Sequence, residues 1–160
     1  MKLRLAALLV LVGSPAWAQG EMLPADETAV FTAAGFVKQD DHWTACADDV
    51  SASYTPGAIE FVGDVNNDGQ PEAVTSEGSA FCYGFIGTGY AIVSRQADGT
   101  WKMITQGIGL PRFLETKGTD GWPDLEVGGP GFCFPIQRWN GTEYAFNRSE
   151  YEGKRCTPQN

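Results

Sequence analysis

The spacing of apolar positions along this chain changes period once. From Leu23 to Gly35 the apolar residues Val30, Phe31 and Ala34 recur at helical spacing and share one face. Pro24 and the acids Asp26 and Glu27 suit a helix start, and Gly35 suits its stop. After Gly35 the pattern breaks into short runs rich in aromatic and β-branched residues, cut by many of the 20 glycines and nine prolines. Ile92–Arg95 and Trp101–Ile104 flank Asp98-Gly99, and Ile136–Arg138 and Tyr144–Phe146 flank Asn140-Gly141. Asp-Gly and Asn-Gly between alternating runs are strong hairpin signals. A weaker hairpin runs from Phe36–Lys38 through Gln39–Asp41 to Trp43. The pattern predicts a mainly β fold: one compact antiparallel domain of two to three blade-like units, with one short N-terminal helix.

The units repeat. Asp68-Gly69-Gln70-Pro71-Glu72 is followed by Ala73-Val74, a Gly/Ser stretch and Phe81-Cys82. About fifty residues later, Asp120-Gly121-Trp122-Pro123-Asp124 is followed by Leu125-Glu126-Val127, a Gly/Pro stretch and Phe132-Cys133. The pseudo-repeats span roughly 59–104 and 112–147.

The first core carries the candidate chemistry. In Asp64-Val65-Asn66-Asn67-Asp68-Gly69-Gln70-Pro71-Glu72, oxygen-bearing side chains fall at the first, third, fifth and ninth positions, and a glycine follows the fifth. A short loop wraps a hard cation in this way, with alternate oxygens turned inward and the glycine permitting a tight bend. Asp64, Asn66, Asp68, Glu72 and the Gln70 carbonyl form the expected Ca²⁺ ligand set. An EF-hand requires a bidentate Glu at position twelve, where this chain has Thr75. The flanks, Ile59–Val62 and Ala73–Thr75, read as strands, so the loop is expected to join strands. The competing reading is a plain Asx turn. In the second copy, the positions of Asp64 and Asn66 become Thr116 and Gly118. Two carboxylates, Asp120 and Asp124, do not fill a calcium shell, so a dry structural turn is expected there. Trp122, between Gly121 and Pro123, is a candidate exposed recognition residue, against the alternative of a ring packed over the turn.

The stretch Phe61-Val62-Gly63 through Glu72-Ala73-Val74 resembles an FG-GAP or VCBS-type repeat, the unit of integrin-like β-propellers. The resemblance covers about 25 residues well and a second, degraded copy around Asp120 more weakly. It implies a strand–loop–strand calcium site with Asp64, Asn66, Asp68, Gln70 (through its carbonyl) and Glu72 as ligands. A closed propeller takes about four to eight blades, and this chain has material for two or three.

Lys2 and Arg4, the apolar run Leu5–Val12 and the small-x-small Ala16-Trp17-Ala18 form the pattern of a signal peptide over 1–18, cut after Ala18. A secreted or periplasmic single domain over 19–160 is expected, without membrane insertion. The net charge of −9 argues against nucleic acid as a partner. Cys46, Cys82, Cys133 and Cys156 then suggest two disulfides. Three connectivities are open to four cysteines, and Cys46–Cys82 with Cys133–Cys156 is favoured because these pairs close the shortest loops. A Cys₄ zinc site lacks any C-x₂-C spacing.

No catalytic constellation stands out. His42, the single histidine, lies among Asp40, Asp41 and Trp43 at a turn. Ser79 lacks the second glycine of a nucleophile elbow. The function expected is a non-enzymatic, calcium-stabilised exported domain. The alternatives are an envelope or extracellular module binding a protein or glycan, and, less favoured, a metal-assisted hydrolase.

Overall fold

The computed structural model describes residues 24–49 and 51–158. The signal-peptide segment lies outside the described residues. The first element is the helix α1, Pro24–Ala33, followed by the hairpin of β1, Val37–Gln39, and β2, His42–Thr44. Two antiparallel meanders follow. The first sheet holds β3 (Thr55–Gly63), β4 (Glu72–Gly78), β5 (Thr88–Arg95) and β6 (Trp101–Ile108), in that spatial order. The second holds β7 (Leu110–Lys117), β8 (Pro123–Gly128), β9 (Phe134–Trp139), β10 (Tyr144–Tyr151) and β11 (Lys154–Arg155), also in chain order. Only Gly109 separates the sheets. Its φ of +134° and a built Cβ 2.7 Å from the Gly128 carbonyl oxygen leave no room for a side chain at the crossover.

The layers follow from strand alternation, which sends neighbouring side chains to opposite faces. On β4 and β5, Ala73, Ala91 and Val93 face α1 and pack with its Val30 and Phe31 and with Ala34 just after it. Trp43 closes this core, stacked on Phe31 at 4.9 Å. Val74 and Ile92 face the other way and meet Leu125 of the second sheet. The order of layers is therefore helix and hairpin, first sheet, second sheet. The expected blade-like units are these two meanders, joined by the small hairpin.

The disulfides are Cys46–Cys82 and Cys133–Cys156, with Cα atoms 6.1 and 5.6 Å apart. They are the pairs that close the shortest loops, and both staple the sheet end that carries the β4–β5 and β8–β9 connections. Two disulfides suit an oxidising, extracellular-type environment. No described helix is long and apolar enough to cross a membrane.

One expectation needs correction. The chain after the first helix is not all strand: Ala80–Tyr83 forms a short helix, α2, continued by a 3₁₀ turn at Gly84–Ile86. The Ser79 hydroxyl caps α2 by accepting from the Cys82 N–H at 3.0 Å. Among so many glycines, this single cap is the only start signal, and the Cys46–Cys82 bridge anchors the turn from outside.

Candidate functional site

The loop from Asp64 to Pro71 joins β3 to β4, as expected for strand flanks. It is organised by its own side chains. Asp64 Oδ1 accepts from the N–H groups of Asn67 (2.7 Å) and Asp68 (3.2 Å), and its Oδ2 accepts from Gly69 N–H (2.9 Å). Asn66 Oδ1 accepts from Asp68 N–H at 3.0 Å, and Asn66 Nδ2 donates to Asp68 Oδ2 at 2.9 Å. Asp68 Oδ1 accepts from Gln70 N–H at 2.7 Å. Asn67 and Gly69 take left-handed φ values of 65° and 86°, which curl the loop so that successive N–H groups point inward.

Glu72 closes the loop from below. It is fully buried. Its Oε2 accepts from Val65 N–H at 2.9 Å and its Oε1 from the Ser94 hydroxyl at 2.8 Å. Burial raises its pKa, the two hydrogen bonds offset part of that, and the negative charges of Asp68 and Asp64 raise it further. Among the described residues no basic side chain pairs with Glu72, Asp64 or Asp68.

The donor chemistry suits a hard cation. A carboxylate oxygen has two lone-pair sites, so one that accepts a single N–H keeps a site for an ion. As they stand, no three Asp, Glu, His or Cys side chains among the described residues converge into a metal-holding group. Asp64 and Asp68 are directed at the loop backbone, both exposed, while Asn66 is buried and Gln70 half-buried.

The matching loop of the second sheet neutralises its acid differently. Thr119–Gly121 forms a 3₁₀ turn with Asp120 at φ 53°. Asp124, fully buried, receives Arg138 through Nε and Nη2, both at 2.8 Å, Arg148 Nη1 at 2.7 Å and the Thr116 hydroxyl at 2.6 Å. Burial alone would raise its pKa; the bonds from Arg138, Thr116 and Arg148 outweigh that and hold it well below the usual carboxylate range. The two arginines come from β9 and β10, beyond the reach of a motif read along the loop.

Trp122 is not an exposed recognition residue. Its ring is 6% exposed, 5.3 Å from the Trp139 ring and 6.1 Å from that of Tyr144. The second loop passes directly under the first, and this carries the indole into the mouth between the sheets.

A third buried carboxylate had no motif to announce it. Glu77 on β4 accepts from the hydroxyls of Thr44 (2.9 Å), Tyr54 (2.6 Å) and Tyr83 (2.5 Å) and from the N–H groups of Ala45 (3.0 Å) and Cys46 (3.3 Å). Burial opposes its charge, but the donors, led by Tyr54 and Tyr83, leave its pKa below the ordinary value. The same arrangement, with burial first, pushes the Tyr54 hydroxyl up to about 12. Its parity with Ala73 and Thr75 was the only available signal, an acid on a core-facing register. Glu77 ties the N-terminal segment to the first sheet.

Ser79 donates to Asp49 Oδ2 at 2.6 Å, and the His42 ring lies against Asp41 at 3.4 Å. The two are not brought together, so no serine–histidine pair forms. No family model, curated protein or solved structure matches the chain.

Proposed function

We propose that this is a non-enzymatic exported domain in which Ca²⁺, held by the Asp64–Glu72 loop, stabilises the β3–β4 connection. The observation that carries the reading is Glu72: a buried carboxylate, beside Asp64 and Asp68, with only two neutral donors and no cation. Its counterpart Asp124 has two arginines. A divalent ion would give the first loop what Arg138 and Arg148 give the second. Asp64, Asn66, Asp68 and Glu72 would supply side-chain oxygens, Gln70 its carbonyl, and water the remaining positions of a six- to eight-oxygen shell. The loop's resemblance to FG-GAP and VCBS-type repeats supports the same ligand set. Export is supported by the apolar N-terminal pattern and the two disulfides.

The role of the ion is structural. Bound, it would draw Asp64, Asp68 and Glu72 together, offset most of their charge and cross-link the ends of two strands. Extracellular calcium modules bind at about 10⁻⁴–10⁻³ M, and at ten times Kd the ion adds about 1.4 kcal/mol to stability. The test is a thermal melt of the oxidised mature protein in calcium and in EGTA, beside Asp68→Ala. A calcium-dependent rise of several degrees in wild type, absent from the variant, is expected. Identical melts in both media would refute the reading.

A further inference from the structure

At the end of the molecule that carries the Asp64–Glu72 loop, the two sheets part and leave a cleft of about 490 Å³ between their facing sides. Four turns converge on it: the calcium-type loop, the β5–β6 turn, the β7–β8 turn and the β9–β10 turn. Its floor is apolar. Ile104 and Trp139 are half-buried there, and Trp122 adds an edge behind them.

Its rim is polar on every side. Gln70, Lys102, Asp120 and Thr142 each present a side chain that makes no hydrogen bond or ion pair with another described residue. Asp68 stands among them. The register places Lys102 opposite Ser94 and Ser94 opposite Glu72, so Lys102 projects from the face directed at the second sheet. Another hollow, of about 420 Å³, is lined mainly by apolar side chains, Phe61, Val74, Leu110, Pro111 and Phe113, with Glu60, Ser76 and Thr88 beside them. The loop-end cleft joins an aromatic floor to a rim bearing charges of both signs and an amide.

We infer that this cleft binds a neutral saccharide. A sugar ring has an apolar C–H face, which Trp139 and Ile104 can cover, and hydroxyls that both donate and accept at its edge. Asp68 and Asp120 accept from hydroxyls, Lys102 donates to them, and Gln70 and Thr142 do both. The charge balance selects a neutral ligand. Asp68 and Asp120 are matched at the cleft by Lys102 and by Arg95, whose Nε is buried without a hydrogen-bond partner among the described residues, so an anion and a cation would each meet two like charges. The volume lies within the range of small-molecule sites. The inference goes beyond the calcium reading and does not depend on it, because the floor and most of the rim lie outside the Asp64–Glu72 loop.

The experiment is saturation-transfer NMR on the oxidised mature protein. The probes are methyl α-D-mannopyranoside, methyl β-D-galactopyranoside and N-acetyl-D-glucosamine, with D-glucuronic acid as the anionic comparison. Each is measured in calcium and in EGTA. Transfer to the ring hydrogens of at least one neutral probe is expected, weakened about tenfold in Lys102→Ala and in Asp120→Asn. Both positions are exposed, and Asn tolerates the left-handed backbone at 120, so both variants should fold. Phe85→Ala, at the opposite end of the sheets, should bind as wild type. Absence of transfer to every neutral probe, a preference for glucuronic acid, or unchanged binding in both rim variants would overturn the inference. Transfer that persists in EGTA, with no calcium effect on melting, would uphold the cleft while removing the ion.

Discussion

A Cβ built on Gly121 lies 2.6 Å from the carbonyl oxygen of Asn66. The equivalent turns of the two sheets therefore touch backbone to backbone, and the second turn supports the first. Gly121 also has φ +76°, a conformation in which a side chain is strained. Gly121→Ala is expected to cost about 1–3 kcal/mol, by the clash and the backbone together. Chemical denaturation of the variant measures the loss. A midpoint equal to wild type would mean that the two turns do not depend on each other.

Asp124 with Arg138 and Arg148 forms the chain's buried ion cluster. Asp124→Asn keeps the shape but leaves the Arg148 guanidinium, with 9% of its side chain exposed, without one of its two counter-charges. Removing one partner of a buried pair costs about 3–5 kcal/mol. Part of this is discounted here because Arg138 is 40% exposed and Glu150 also holds Arg148. A loss of about 2–3 kcal/mol in urea denaturation is the expected result. A loss below about 0.5 kcal/mol would show the cluster to be no stronger than a surface pair.

Glu77 and Asp124 both have pKa values below their ordinary ones, Asp124 well below. For a carboxylate whose folded-state pKa is depressed, the stabilisation is complete above the unfolded value, about 4, and is lost as pH falls through the folded value. These two groups should therefore hold stability steady from neutral pH down to about 4 and release it below. Glu77→Gln removes one such contribution and sets an amide N–H₂ against hydroxyl and N–H donors, at a cost of about 1–3 kcal/mol. Acid titration followed by circular dichroism tests both points. If the variant and wild type unfold at the same pH and with the same amplitude, Glu77 is not the hub described.

Cys133–Cys156 joins residues 23 apart, and Cys46–Cys82 residues 36 apart. Loop-closure entropy assigns each about 3–4 kcal/mol. The paired change Cys133→Ser with Cys156→Ser should lower the melting temperature by well over five degrees. Its effect on the N-terminal core should be smaller than that of Cys46→Ser with Cys82→Ser, because only the latter bridge joins the segment after β2 to α2. Proteolysis that cuts both variants at the same place would contradict this division.

Phe31→Ala tests the third layer. The ring is 3% exposed and touches both Phe36 and Trp43. Truncation of such a buried aromatic costs about 3–5 kcal/mol. Thermal unfolding unchanged by the substitution would mean that α1 is not part of the folded core.

Much of this architecture was legible in local pattern. The helix of Val30, Phe31 and Ala34 and the turns at Asp98-Gly99 and Asn140-Gly141 follow from spacing and from turn residues; loop length favoured one of the three possible disulfide connectivities, and the structure has that one. These are properties of neighbouring residues or of a single contour length. Trp122 was not legible. A tryptophan between glycine and proline in a loop has no local sign of whether it is covered, and what covers it is Trp139 and Tyr144, from two strands further on. The second turn could be read as short of ligands, but not as carrying an arginine-paired acid, because Arg138 and Arg148 lie 14 and 24 residues from Asp124.

The sequence by itself determined the class of the fold, its two-fold internal repetition and the oxygen-rich loop at its first turn. Each of these resides in the short-range order of residue types, where backbone preference and side-chain alternation act. Only the tertiary structure decided how three buried carboxylates differ, two on β4 of the first sheet and one on β8 of the second. Glu77 is held by five neutral donors and Asp124 by two arginines. Glu72 has two neutral donors and, among the described residues, no cation. A carboxylate's environment depends on which distant groups the packing brings within about 3 Å, and no pattern along the chain encodes that distance directly.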